Sequence, residues 1–223
     1  MTTQNPGYRP SGPPASQPGA PGFLWALVGL MAMIEAILGL SGAGYLGSTD
    51  LRWTVFQYGA FWQPLLSGQF APLYPGQTVA MFLTYAFLHG GLAHLALNGV
   101  VLLALGKFVA ARIGAARTLL LLFLAAVSGG VGFGLLSTGG VPMVGASGAV
   151  FGLIGLWQCW DYRMRKRAGL TVRPVLGAIA ALAVANIVLF VILSGGLAWE
   201  AHLGGWLAGW LSGFGFARLR WAA

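Results

Sequence analysis

Seven side chains with ionisable or strongly hydrogen-bonding groups stand inside otherwise apolar stretches of the chain: Glu35, His89, His94, Asn98, Ser147, Asn186 and His202. Such groups are expensive in an apolar setting and are candidates for function. Their types suit acyl transfer, because a serine hydroxyl becomes a nucleophile when an imidazole within hydrogen-bond reach takes its proton. Ser147 sits in VPMVGASGAVFG, where a loop containing Pro142 and Gly145 delivers it to the outer end of an apolar run. There its hydroxyl and backbone N–H belong to a first helical turn, whose N–H groups are unpaired within the helix and suit a developing negative charge. In HGGLAHLALN, His94 and Asn98 are four residues apart and share one helical face, with His89 close to that helix's start. His202, in AWEAHLGGWLAGW, lies near the outer end of the last apolar run, at the depth expected for Ser147.

Gly148 and Gly152 on one segment, with Gly205, Gly209 and Gly213 on the other, form small-xxx-small patterns. Such patterns let two helix backbones approach closely enough for Ser147 and His202 to meet. Glycines in spans also serve packing alone, and a lone histidine also serves structure, so the constellation carries the chemical reading and no single residue does. The i, i+5 spacing of His89 and His94 suits no one helical face, and neither a thiol nor a carboxylate joins the histidines. No metal and no cofactor are expected. Glu35 and Asn186 belong to no such constellation, and Glu35 is expected to find a structural partner within the bundle. Cys159, the single cysteine, is expected to be packing.

The elements that position these residues follow from composition. Of 223 residues, 57% are hydrophobic and 7% charged, and the mean hydropathy is +0.79. These values predict an all-α integral membrane protein. The net charge of +8 is carried by short basic clusters between apolar runs, not by a stripe with interleaved aromatics, so nucleic acid is excluded as a partner and membrane lipids are the expected surroundings. Residues 1–22, rich in Pro, Gly, Ser and Gln, are expected to be a disordered cytoplasmic tail. The first apolar stretch begins only at Phe23, which argues against a secretory signal.

Six spans are predicted, at about 23–43, 88–107, 116–137, 147–161, 174–195 and 201–218, within one domain of residues 23–220. Turns are expected at STGGVPMVG, at RMRKR (163–167) and at SGG (194–196). With both termini cytoplasmic, eleven of the twelve basic residues fall inside and only Arg52 falls outside. Segment 44–87 carries Trp53, Phe56, Tyr58, Phe61, Trp62, Phe70 and Tyr74 without a clean span, and is expected to form short helices in or on the outer leaflet. No repeats or broken, charge-lined helices of the kind that mark transporters are visible.

Taken together, GASGAVFG (145–152), HGGLAHLALN (89–98) and AHLGGWLAG (201–209) resemble the signature set of the rhomboid intramembrane serine proteases, over about residues 80–218. The resemblance implies a six-transmembrane-helix bundle with a long membrane-associated first outer loop, in a bacterial-type inner membrane. It implies Ser147 as nucleophile and His202 as general base, a dyad that cleaves transmembrane segments of substrate proteins. His94, Asn98 and the backbone N–H of Ser147 match the oxyanion hole, while His89, Gly145, Phe151, Gly205 and Gly209 are structural neighbours of the site. No acidic third member is implied. Glu200, two residues before His202, falls on another side of the helix. Phe151 occupies a position where the family often has Tyr, and its ring is expected to stack on His202. Family members often carry a Trp-Arg pair shortly before the first histidine, whereas this chain has Ala80 and Met81, so its outer loop is expected to be held differently. The alternative implied by the same motifs is a catalytically silent rhomboid-like protein that binds transmembrane helices.

Overall fold

A computed structural model describes residues 19–216, and among them every regular element is helical apart from one isolated bridge between Phe61 and Met143. Residues 1–18 of the expected tail, and Arg218 and Arg220, lie outside the described residues. Long helices are the consequence of apolar runs whose backbone groups must pair internally. They are α1 (Gly22–Gly42), α5 (Leu92–Ile113), α6 (Ala115–Leu136), α7 (Ser147–Arg167), α8 (Arg173–Ile192) and α9 (Trp199–Gly215). Four of these, α1, α5, α6 and α8, are long and apolar enough to cross a membrane. Between α1 and α5 come α2 (Leu51–Gly59), α3 (Gln63–Leu66), α4 (Gln77–Thr84) and a single 3-10 turn at Tyr85–Phe87.

Several boundaries differ from the sequence expectation, among them the end of the second span, which runs to Ile113 and not to residue 107. The RMRKR stretch is the last part of α7 and not a turn. Arg and Lys are good helix formers and favour the negative end of the helix dipole, and the chain turns only at Gly169, whose φ is +67°. The second span begins at Leu92 and not at residue 88, because Gly91 at φ +136° lies outside helical conformation. His89 therefore stands in the connection before α5.

The helices α6, α7 and α9 form the tightest part of the bundle. A Cβ on Gly205 would overlap the carbonyl oxygen of Gly148, and one on Gly209 that of Gly152. On the other side of α9, Gly204 lies equally close to the Ser128 carbonyl of α6. Without side chains in the way, α9 lies in the groove between α6 and α7, where close backbone packing stabilises helix pairs. At the far end of this contact, Arg163 Nη1 donates to the Gly213 carbonyl at 2.7 Å. Cys159 is buried against Gly213. By contrast α8 leans on the bundle with Val175 as its buried residue and turns Val184, Ile187, Val191 and Ile192 outward.

The first connecting segment packs on the bundle end more deeply than an interfacial loop. Phe61 is fully buried and meets Phe82, Tyr85 and Phe133 edge-on, at centroid distances of 4.9, 6.2 and 5.6 Å. Trp62 is buried beside it. These two aromatics are thus core and not interface residues, because the 60–62 stretch extends and exchanges backbone hydrogen bonds with Met143: Phe61 N to Met143 O at 3.0 Å, and Met143 N to Phe61 O at 2.9 Å. The segment is pinned elsewhere by Gln77, whose Nε2 donates to Gln57 O and whose Oε1 accepts from Leu73 N, both at 2.7 Å. Met81, at one of the two positions expected to change how the loop is held, is fully buried.

Candidate active site

The loop that precedes α7 is held on both sides. Met143 is bridged to Phe61, and Gly145 N donates to the Tyr85 carbonyl at 3.0 Å. Gly145 has φ +120°, a conformation that side-chain-bearing residues rarely adopt. From there the chain enters α7 with Ala146 as cap and Ser147 as first helical residue, half-buried, its N–H in the turn that lacks intrahelical partners.

His94 and Asn98 of α5 converge on this turn. A Cβ built on Gly145 would lie 2.7 Å from His94 Nε2 and 3.6 Å from Asn98 Nδ2, so both side chains reach the backbone two residues before Ser147. The Asn98 Nδ2 group is buried and has no hydrogen-bond partner. Buried donors are nearly always satisfied, and an exception asks for an explanation. His94 Nδ1 accepts the Gly90 N–H at 3.4 Å, which leaves the ring proton on Nε2, the atom that faces Gly145. The Nε2 edge of His94 and the Nδ2 group of Asn98 therefore both lie beside Gly145, in the loop that leads into α7.

His202, buried near the start of α9, comes from the other side. Its ring stacks on Phe151 with centroids 4.0 Å apart and planes 8° from parallel. Phe151 is one turn after Ser147 on the same face of α7, and Gly148 abuts the Ala201 carbonyl and Gly205. The helix that begins at Ser147 and the helix that carries His202 are thus joined beside the site by the Phe151–His202 stack and the Gly148–Gly205 contact. Among the described residues no hydrogen bond joins the Ser147 hydroxyl to the His202 ring.

Two residues set apart in the sequence belong to the surroundings of this site. Glu35, 2% exposed, makes a two-pronged ion pair with Arg52 (2.7 and 3.0 Å), and Arg52 Nη1 also donates to the His89 carbonyl at 2.8 Å. That clamp fixes the backbone before α5, and His89 packs edge-on against His94 at 5.1 Å. Arg52, read from sequence as a topology signal alone, is the centre of this clamp. Asn186 of α8 has its Oδ1 2.6 Å from His202 Nδ1, so it too joins a constellation, contrary to the sequence expectation. The general signal was present, since both are polar residues in apolar runs, but nothing in their spacing named a partner. Tyr85, fully buried with its hydroxyl donating to Ala126 O at 2.8 Å beside Gly129 and Gly148, carried no such signal.

A cavity of about 510 Å³ opens between α8 and α9, walled by Phe151, Ile179, Ala183, Phe190 and Trp206, and Asn186 and His202 supply its polar edge. Among the described residues no group of three or more His, Cys, Asp or Glu side chains is arranged to hold a metal ion.

Comparison with known proteins defines the class. The Rhomboid domain model matches residues 76–219, more than half of the chain, and the chain belongs to the rhomboid family. With its four helices able to cross a membrane, the protein is an integral membrane protein. Rhomboid protease GluP of Bacillus subtilis (strain 168) is 32% identical over 140 residues, which make up 62% of this chain and 24% of that protein. The chain therefore spans about a quarter of that relative's length.

Proposed function

We propose that the protein is an intramembrane serine endopeptidase that cleaves transmembrane segments of substrate proteins, with Ser147 as nucleophile and His202 as general base. The observation that carries this reading is the buried, partnerless amide N–H of Asn98 directed at the turn that starts α7. A donor left unpaired in the resting state acquires its partner when negative charge develops beside it, which is how an oxyanion hole spends its interaction on the transition state. The relative's description as a rhomboid protease supports the same reading.

In this reading a stretch of substrate unwinds near the outer end of its span and lays one peptide carbonyl beside Ser147. As the Ser147 Oγ–C bond forms, the hydroxyl proton passes to His202 Nε2. The carbonyl oxygen becomes an oxyanion between His94 Nε2–H, Asn98 Nδ2–H and the Ser147 N–H. When the intermediate collapses, the C–N bond breaks and His202 returns the proton to the leaving amine. Water, deprotonated by the same imidazole, then releases the acyl group and restores the serine.

The topology that goes with this chemistry has six spans, α7 and α9 joining the four most apolar helices, in one domain of residues 23–220 with both termini cytoplasmic, the basic clusters inside, and lipid around it in a bacterial-type inner membrane. Segment 44–87 then lies at the outer face, above the site. Purified protein labelled with a fluorophosphonate tests the assignment: wild type labels, and Ser147→Ala and His202→Ala neither label nor cleave a single-span substrate. Equal labelling of Ser147→Ala and wild type overturns it, and a wild type that neither labels nor cleaves favours the silent, helix-binding alternative.

A further inference from the structure

We infer that Asn186 is a positioning residue for His202, a third member of the Ser147–His202 pair contributed by α8; the inference rests on the protease reading of that pair. Asn186 Nδ2 donates to the Leu182 carbonyl at 2.9 Å, one turn back in its own helix. That bond decides which way the amide faces, since the reverse orientation would set two carbonyl oxygens against each other. Its Oδ1 is therefore the atom 2.6 Å from His202 Nδ1, and an oxygen acceptor there requires that Nδ1 carry the ring proton. Nε2 is then left with its lone pair free, which is the form that takes a proton from a serine. The orientation is fixed in two dimensions: Phe151 holds the plane of the ring, and Asn186 stops it turning within that plane.

The bond also acts during the reaction. When His202 receives the serine proton it becomes positively charged, and the Asn186 carbonyl already points its negative end at Nδ1–H. An amide in this place gives part of what a carboxylate gives in a Ser-His-Asp triad, as Asn does in Cys-His-Asn sites. Glu200, the nearest carboxylate in sequence, does not hydrogen-bond the His202 ring among the described residues. Asn186 is also held by a helix with few buried residues of its own, so its hydrogen bond is a specific polar tie between α8 and the rest of the site.

The test uses the full chain in liposomes with a single-span peptide substrate, comparing wild type, Asn186→Leu and Asn186→Asp. In Asn186→Leu, kcat is expected to fall tenfold to a hundredfold, part of the roughly 10²–10⁴ that a positioned base supplies. KM and melting temperature stay close to wild type. Asn186→Asp restores an acceptor oxygen at the same reach and is expected to recover kcat to within a few fold. The ¹⁵N spectrum of the His202 ring, assigned with His202→Ala, is expected to show the Nδ1–H form in wild type and a mixture of tautomers in Asn186→Leu. Unchanged kcat in Asn186→Leu overturns the inference, as does an equal loss in both variants accompanied by lowered melting temperatures. If Ser147→Ala still cleaves substrate, the protease reading itself fails, and the ring spectrum reports separately whether Asn186 holds the imidazole.

Discussion

The rings of Phe151 and His202 lie nearly parallel with their centroids 4.0 Å apart, which joins the face of α7 that bears Ser147 to the imidazole of α9. Aromatic pairs contribute about 0.5–1.5 kcal/mol beyond burial. Phe151→Ala is expected to lower kcat by roughly two- to tenfold, the same energy read as lost orientation of the base, with KM little changed. Phe151→Tyr keeps the ring and stays near wild type. Steady-state cleavage of a single-span substrate reads both.

Asn98→Ala removes a donor that has no partner at rest. Loss of one oxyanion-hole donor lowers kcat by about 10²–10³-fold in other acyl-transfer enzymes, and the same fall is expected here. Deleting an unsatisfied buried N–H does not weaken the resting fold. The melting temperature is therefore expected to be unchanged or higher while activity collapses, a pairing that parallel melts and rate assays detect.

Gly205→Ala drives a methyl group into the Gly148 carbonyl, which is backbone and has no flexible end to move. Overpacking of this kind destabilises by about 1–3 kcal/mol, and rigid backbone contact places this site at about 3 kcal/mol. Gly177→Ala, in α8 with no heavy atom near its added Cβ, is the matched control. It is expected to stabilise by about 0.5–1 kcal/mol, the usual helix-interior difference between the two residues. Thermal unfolding in detergent distinguishes the two variants by the sign of the shift.

Arg52→Ala leaves the Glu35 carboxylate, 2% exposed, without its partner. Breaking a buried pair from one side destabilises by about 3–5 kcal/mol; the partial exposure of Arg52 puts the expected loss near about 3 kcal/mol. The double variant Arg52→Ala, Glu35→Gln removes the stranded charge and is expected to be more stable than Arg52→Ala alone. Because Arg52 also holds the His89 carbonyl, both variants are expected to cleave more slowly than wild type.

What was legible in the sequence lies within one or two helical turns. Apolar run length marked where the long helices among the described residues lie, and the i, i+4 spacing of His94 and Asn98 put both side chains on one face of α5, because a helix has a fixed period. The Gly145 loop announced a helix start at Ser147 for the same local reason. The glycine pattern indicated which helices pack closely, since small residues are what close backbone contact requires.

Contacts between residues far apart in the chain had no such signature. That Asn186 faces His202, that Arg52 reaches back to Glu35 and across to His89, and that Phe61 pairs with Met143 depend on how helices and loops rotate and pack against one another. A polar residue in an apolar run announces that a partner is needed, because burying it alone is unfavourable. Only the packed bundle names the partner. Motif and spacing alone singled out Ser147, His94, Asn98 and His202 as candidates, while tertiary packing decided that Asn186 and Phe151 hold the His202 ring and that the Asn98 amide N–H is buried without a partner.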